Sequence, residues 1–304
     1  MMLRQGFITL SQSKTLRDFA VANPFARKIA RRFVAGEELD EAVSVIQSLN
    51  RRGMLATFDL LGENVNTEAD ANSTADAYLA LLDAIQRNSL KSNVSIKLTA
   101  MGLDISEGTA LDNMRRILDR AQKYGNFVRL DMEGSAYTDV TLDIFRRLWR
   151  DHKNVGVVLQ AYLYRTSQDV DEMIRLKARV RLCKGAYNEP PSVAFPEKAD
   201  TDRQYAKLMC RLIAFGNYPG IATHDIRLID LAKRFVAKHR IPTDRFEFQM
   251  LYGVRSGLQQ ELADAGYNMR VYVPYGQQWY PYFMRRLAER PANLVFMLSN
   301  LLRK

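Results

Sequence analysis

The stretch GVVLQAYLYRTSQDVDEMIRLKARVRL, residues 156–182, decides the fold. It opens with a short apolar run, Gly156–Gln160. An amphipathic segment, Ser167–Leu176, follows, and a second β-branched run, Val180–Leu182, closes it. A strand that passes through a helix into a second strand is a βαβ unit, whose strands pair in parallel with a right-handed crossover. The same alternation continues on both sides. Upstream lie strand candidates Met54–Leu60, Asn93–Leu98 and Phe127–Met132. Downstream lie Gly220–Thr223, Arg245–Met250 and Arg270–Val273. Helical periodicity fills the gaps, at Thr67–Arg87, Thr109–Tyr124, Thr138–Arg150, Asp202–Phe215, Arg227–His239, Ser256–Ala265 and Gln278–Glu289. Eight such units predict a closed α/β barrel of the (β/α)8, TIM type rather than an open sheet. Residues 1–50 are expected to add a helical segment that packs on the barrel, covering its base, and 51–304 to form the barrel itself. Within the first segment, TLRDFA and PFARKIARRFV carry apolar residues at helical spacing. Pro291 is expected to end the eighth helix, and LVFMLSNLL to form a last apolar helix or turn.

Composition narrows the function. The chain has 304 residues, 47% of them hydrophobic, and a net charge of +10. No basic tract or nucleic-acid module accompanies that charge, so nucleic-acid binding is not expected. The basic excess suits anionic ligands or an acidic membrane surface, but plain solubility accounts for it better. Cys183 and Cys210 form no CxxC pair and suit a reducing cytoplasm. The histidines, His152, His224 and His239, lack metal-ligand spacing, so no metal site is expected. No apolar run approaches the ~20 residues of a membrane-spanning helix, and the start is too short and polar for a secretory signal.

In barrels of this class the active site lies at the carboxyl ends of the strands. Those ends are polar here: Lys97, Asp131 with Glu133, Gln160, Arg181 with Lys184, Thr223 with His224, Glu247 with Gln249, and Tyr272. Any one of these can be a satisfied core group. Seven strands delivering such groups to one rim point to a site. KGA at 184–186 has a glycine that lets backbone approach a ligand, although a loop turn explains it as well. It is no Walker motif, and GxGxxG is absent, so a dinucleotide has to bind on the rim. Past the eighth strand, YVPYGQQWYPYFMRRLAERPAN (272–293) places Tyr282, Arg285, Arg286 and Glu289 on one helix. Adjacent guanidinium groups grip a carboxylate. Glu289 is spaced to reach either arginine.

SIKLTAMGLD, RLDMEG, VVLQAYLYRT, VRLCKGAYNEP, IATHD, FEFQMLYGV and the 272–293 stretch together resemble the proline dehydrogenase family, in its short monofunctional bacterial form. The likeness runs in order from about residue 50 to 300, and no aldehyde dehydrogenase or DNA-binding domain is expected in this length. The resemblance implies a distorted (β/α)8 barrel with non-covalent FAD at the strand ends. It implies oxidation of L-proline to Δ1-pyrroline-5-carboxylate, with electrons passed to a membrane quinone and peripheral contact at the inner face of the membrane. By the same resemblance Lys97, Arg285 and Arg286 hold the substrate carboxylate. Tyr272 and Tyr282 enclose the ring, and Glu289 holds an arginine. Asp131 sits by substrate and flavin and fixes Lys97, and Arg181 lies beside the flavin's reactive nitrogen. Met132, Gln160, Lys184, Gly185, Ala186, Thr223 and His224 line the FAD. The competing expectation is an aldolase-type barrel with Lys97 or Lys184 as a Schiff base.

Overall fold

A computed structural model describes residues 23, 27 and 29–289, with side chains through 286. TLRDFA, Pro291, LVFMLSNLL and the side chain of Glu289 lie outside the described residues. Eight parallel strands close into a barrel in sequence order, β1 (Leu55–Leu60), β2 (Ser92–Ile96), β3 (Val128–Leu130), β4 (Val155–Gln160), β5 (Arg179–Cys183), β6 (Gly220–Ala222), β7 (Glu247–Leu251) and β8 (Asn268–Tyr275). The register of β1 against β8 runs from Leu55↔Arg270 to Leu60↔Tyr275 and seals the barrel. Helices alternate with the strands. Helix α1 (Leu39–Arg51) precedes β1. Then come α2 (Glu68–Arg87), α3 (Glu107–Lys123), α4 (Thr138–Asp151), α5 (Thr166–Leu176), α6 (Lys198–Phe215), α7 (Ile226–His239), α8 (Ser256–Asp264) and α9 (Trp279–Glu289).

Helix starts follow local chemistry. Thr67 accepts from the Asp70 amide at 3.1 Å and Ser106 from the Thr109 amide at 3.0 Å, contacts worth about 1 kcal/mol each. Helix α6 begins at Lys198, four residues before the expected Asp202. Its first turn, KADT, carries no apolar period, and Pro196 and an extended Glu197 set the chain into the helix instead.

Strand alternation sorts the side chains into two sets. Val94, Ile96, Phe58, Leu130 and Phe248 are fully buried in the main apolar core that the helices cover. The other parity is polar and bonds across the lumen. Arg181 on β5 reaches Ser95 on β2 and Asp131 just past β3. Arg270 on β8 reaches Asn93 on β2 at 3.4 Å. The barrel interior is therefore a hydrogen-bonded network, where most parallel barrels stack aliphatic layers.

Residues 30–37 of the N-terminal segment meet the rim, while Asn50 at the end of α1 bonds Met54 and Lys91 at the opposite end of the barrel. Ala35 donates to the Pro274 carbonyl at 2.8 Å and Gly276 donates to that of Gly36 at 3.0 Å, both at the carboxyl end of β8. Phe33 meets Phe283 of α9 with ring centroids 6.3 Å apart, and Trp279 Nε1 donates to Glu37 at 3.0 Å. Ala30, Phe33 and Val34 form one apolar cluster with Trp279, Tyr280 and Phe283. Sequence periodicity showed an apolar face here but could not say which end of the barrel it met. It backs α9 on the rim that carries the polar residues.

Candidate active site

Asp131, one residue past β3, is the hub of the rim. Its Oδ1 accepts from Ser95 Oγ at 2.5 Å and from Arg181 Nη1 at 2.7 Å, and its Oδ2 accepts from Tyr272 Oη at 2.7 Å. Arg181 is 6% exposed, so its charge is neutralised locally by a carboxylate that is itself 9% exposed. A buried pair of this kind stands only when its other hydrogen-bonding sites are filled. Arg181 Nε donates to Gln249 Oε1 at 2.5 Å, and the guanidinium carbon lies 5.0 Å from the Tyr272 ring centroid.

Asp131 acts on Lys97 through its charge rather than through a hydrogen bond. None of Asp131's hydrogen bonds goes to Lys97. Lys97 Nζ lies 3.3 Å from Asp59 Oδ1 and 3.7 Å from Glu63 Oε1. Asp59, one residue before the end of β1, lies on the same face as Lys97, and Arg181 is the hydrogen-bonded cation of Asp131, its fork spanning the lumen. Both Asp59 and Glu63 went unread in the sequence. The signal for Asp59 was parity: in LATFDL, Thr57 and Asp59 alternate as the polar set, as Asn93, Ser95 and Lys97 do next door.

Glu63 also accepts from Arg285 Nη2, at 3.1 Å through the same Oε1. The described carboxylate partner of Arg285 is thus on the loop after β1, not on its own helix. Arg286 places its guanidinium carbon 5.2 Å from the Tyr282 ring centroid, and Tyr282 is buried. Lys97 just past β2, Tyr272 on β8, and Tyr282, Arg285 and Arg286 on α9 lie in the sector on either side of β1.

The residues expected to line a cofactor occupy the neighbouring sector, β3 to β6. Met132 is buried past β3. Gln160 Nε2 donates to the Glu133 carbonyl at 3.3 Å, while its Oε1 is buried with no hydrogen-bond partner. Lys184 bridges Asp202 at 2.5 Å and Asp225 at 3.1 Å. His224 Nε2 accepts from the Leu251 amide at 3.0 Å, so that nitrogen carries no proton. The Thr223 hydroxyl accepts from the Asp225 amide at 3.1 Å. Gly185 has φ +113°, and a Cβ there would lie 2.3 Å from the Tyr162 ring. The glycine is required by packing against Tyr162, a reason that the KGA motif did not disclose. Ala186 follows in the same turn.

The electrostatics oppose a Schiff-base lysine. Burial disfavours the Lys97 ammonium, but the nearby Asp59 and Glu63 outweigh it and raise its pKa well above the usual lysine value. A nucleophilic lysine needs the opposite shift. Lys184 sits between two carboxylates. The surroundings of Lys97 therefore hold its ammonium charged, against the Schiff-base reading.

Comparison with known proteins shows the family. The family model described as proline dehydrogenase matches residues 42–299. Proline dehydrogenase 1 of Bacillus subtilis subsp. natto is 48% identical over 303 residues, covering 100% of both chains. Proline dehydrogenase of Deinococcus radiodurans is 43% identical over 99% of this chain and 98% of its own. Among solved structures, proline utilization A from Bdellovibrio bacteriovorus, inactivated by N-propargylglycine, superposes with a TM-score of 0.80 at 28% identity. That match takes in 86% of this chain and 32% of the other, so this chain spans about a third of that protein.

Proposed function

The chain belongs to the proline dehydrogenase family, enzymes of proline catabolism, and from that premise we propose that it oxidises L-proline to Δ1-pyrroline-5-carboxylate with non-covalently bound FAD. The observation that carries the reading is the position of Glu63. Its single oxygen Oε1 lies 3.7 Å from Lys97 Nζ and 3.1 Å from Arg285 Nη2. Two cations from different elements are spaced to share one carboxylate oxygen, which is what holding an amino-acid carboxylate requires.

The residues of the β3 to β6 sector fit FAD. Gln160 offers an unpartnered buried acceptor for a ring N–H, and Arg181 leaves its Nη2 donors without a hydrogen bond among the described residues. Met132, Lys184, Gly185, Ala186, Thr223 and His224 complete the set proposed to hold it. When bound, FAD supplies a two-electron acceptor for the hydride from the ring carbon next to nitrogen.

The chain's own side chains do the rest. Lys97, Arg285 and Arg286 fix the substrate carboxylate and so fix the position of that carbon, the proximity effect. Tyr272 and Tyr282 wall the pyrrolidine ring. The substrate nitrogen reacts unprotonated, and three cations around the carboxylate favour that form. Arg181, locked to Asp131, stabilises negative charge that develops on the cofactor side. Glu289 is proposed to steady the arginine pair. The electron acceptor proposed is a membrane quinone, reached by a cytoplasmic protein through peripheral contact. No helix among the described residues is long and apolar enough to cross a membrane.

The test is a visible spectrum. Purified protein is expected to be yellow, and anaerobic proline is expected to bleach it without NAD. Colourless protein that cannot be reconstituted with FAD ends this reading.

A further inference from the structure

Arginine has five N–H donors in a rigid fork. In Arg181 the Nη1 pair goes to Asp131 and Ser95, and Nε goes to Gln249 Oε1 at 2.5 Å. The Nε bond demands that Gln249 present its oxygen, because a guanidinium only donates. The other side of that amide is fixed lower in the barrel. Gln249 Nε2 donates to Glu247 Oε1, which also accepts from Arg270 Nε at 2.8 Å. Glu247 is 2% exposed. Burial opposes its ionisation, but the Arg270 guanidinium outweighs this and lowers its pKa, so it acts as an acceptor alone. It can therefore bind only the NH2 side of Gln249. Space for that NH2 comes from the next strand, where a Cβ on Gly220 would lie 2.3 Å from Gln249 Nε2.

We propose that Gln249 is a positioning residue for the reaction: Glu247 sets its amide orientation, Gly220 leaves it room, and its oxygen fixes the orientation in which Arg181 meets the cofactor. The inference rests on the flavin reading above. It makes the lower barrel, remote from substrate, a determinant of cofactor electronics.

The test compares Gln249→Leu, Gly220→Ala and the double variant, each purified with FAD. Gly220→Ala adds one methyl group against the far end of a flexible side chain, so the fold is kept while the amide turns away. In both single variants flavin reduction at saturating proline is expected to slow about tenfold, the scale of one charge-assisted hydrogen bond. KM for proline is expected to stay within about twofold, because the carboxylate cations lie in the other sector. The midpoint potential of bound FAD is expected to move negative, since a loosely held cation stabilises the reduced state less. Adding Gly220→Ala to Gln249→Leu should cost nothing further, because the amide it displaces is gone. An unchanged rate and potential in folded, flavin-loaded single variants overturns the proposal, as does a lowered melting temperature with the potential unmoved. A wild-type flavin that proline fails to reduce overturns the parent reading instead.

Discussion

Tyr272 and Asp131 meet across the barrel mouth, the phenol donating to Oδ2 at 2.7 Å. The two residues sit on β8 and just past β3, with β1 and β2 between them. The bond joins the sector that carries Lys97 and the arginines to the sector proposed for the cofactor. Asp131 holds Arg181 through its other oxygen, so one carboxylate fixes both the tyrosine proposed to wall the substrate and the arginine proposed to face the cofactor. Burial pushes the Tyr272 phenol pKa well above its ordinary value, and the neighbouring Asp131 and Asp59 add to the shift. Tyr272 is a proton donor throughout the working pH range.

Asp131→Ala is expected to keep the barrel and lose about a hundredfold in turnover, the scale that misplacing reactive groups by about 1 Å brings. Arg181 is then left buried and unpaired, a loss of about 3–5 kcal/mol for a pair of this kind. Asp131→Asn keeps the shape and an acceptor oxygen but not the charge, and should fall between. Turnover and melting temperature, measured on flavin-loaded protein, check both. Near-wild-type turnover in Asp131→Ala would mean the carboxylate only stabilises the barrel.

Proline is expected to be preferred over hydroxyproline. The Tyr272 ring is held at its hydroxyl by Asp131 and has the Arg181 guanidinium carbon 5.0 Å from its centroid, so it makes a fixed wall. A ring hydroxyl crowds that wall. Tyr272→Ser should narrow the ratio of kcat/KM values between the two substrates. Equal values in wild type would refute the idea.

The barrel was legible because each βα unit declares itself twice, by an apolar strand and an amphipathic helix. Strand bounds shifted by up to two residues: β2 stops before Lys97 and β3 before Asp131, while β8 extends beyond Arg270–Val273 to Asn268–Tyr275. The arginine pair and the polar strand ends were legible as residue types. Their partners were not. Lys97 sits against Asp59 on the adjacent strand and Glu63 on a loop, 38 and 34 positions away, and helix spacing cannot find contacts between elements. Asp59 is hidden further by its setting, a lone acid in the apolar run Leu55–Leu60.

Asp59→Asn is expected to change the pH profile rather than the fold. In wild type the raised Lys97 pKa keeps the ammonium charged beyond the usual lysine value of 10.5. The Lys97 contribution is fully present below the unfolded lysine pKa and is lost as pH rises through the higher folded value, while burial raises the Asp59 carboxyl and works against its ionisation. No fall in kcat/KM from Lys97 is therefore expected below pH 10.5. Removing Asp59 leaves burial less opposed, and the Lys97 pKa drops. Proline KM should then begin to rise at a lower pH than in wild type, which stays flat below 10.5. Superimposable KM profiles would show that Asp59 does not govern Lys97.

Arg285 and Arg286 carry the last prediction. If both grip the carboxylate, replacing either by Met should weaken proline binding by about ten- to a hundredfold, the equivalent of ~1.5–3 kcal/mol for a charge-assisted hydrogen bond. The flavin should remain reducible at high proline. Lys is a poor substitute at either position, because it lacks the planar fork. Arg285 carries an added consequence. Its partner Glu63 also neighbours Lys97, so Arg285→Met leaves Glu63 to Lys97 alone, and part of the loss should return in the Glu63→Gln background. An ordinary surface ion pair predicts less than about 1 kcal/mol for the same changes. Proline titrations of each variant, followed through flavin reduction, separate the two. A KM within about twofold of wild type in both single variants places the carboxylate elsewhere, because a direct grip has a larger minimum cost.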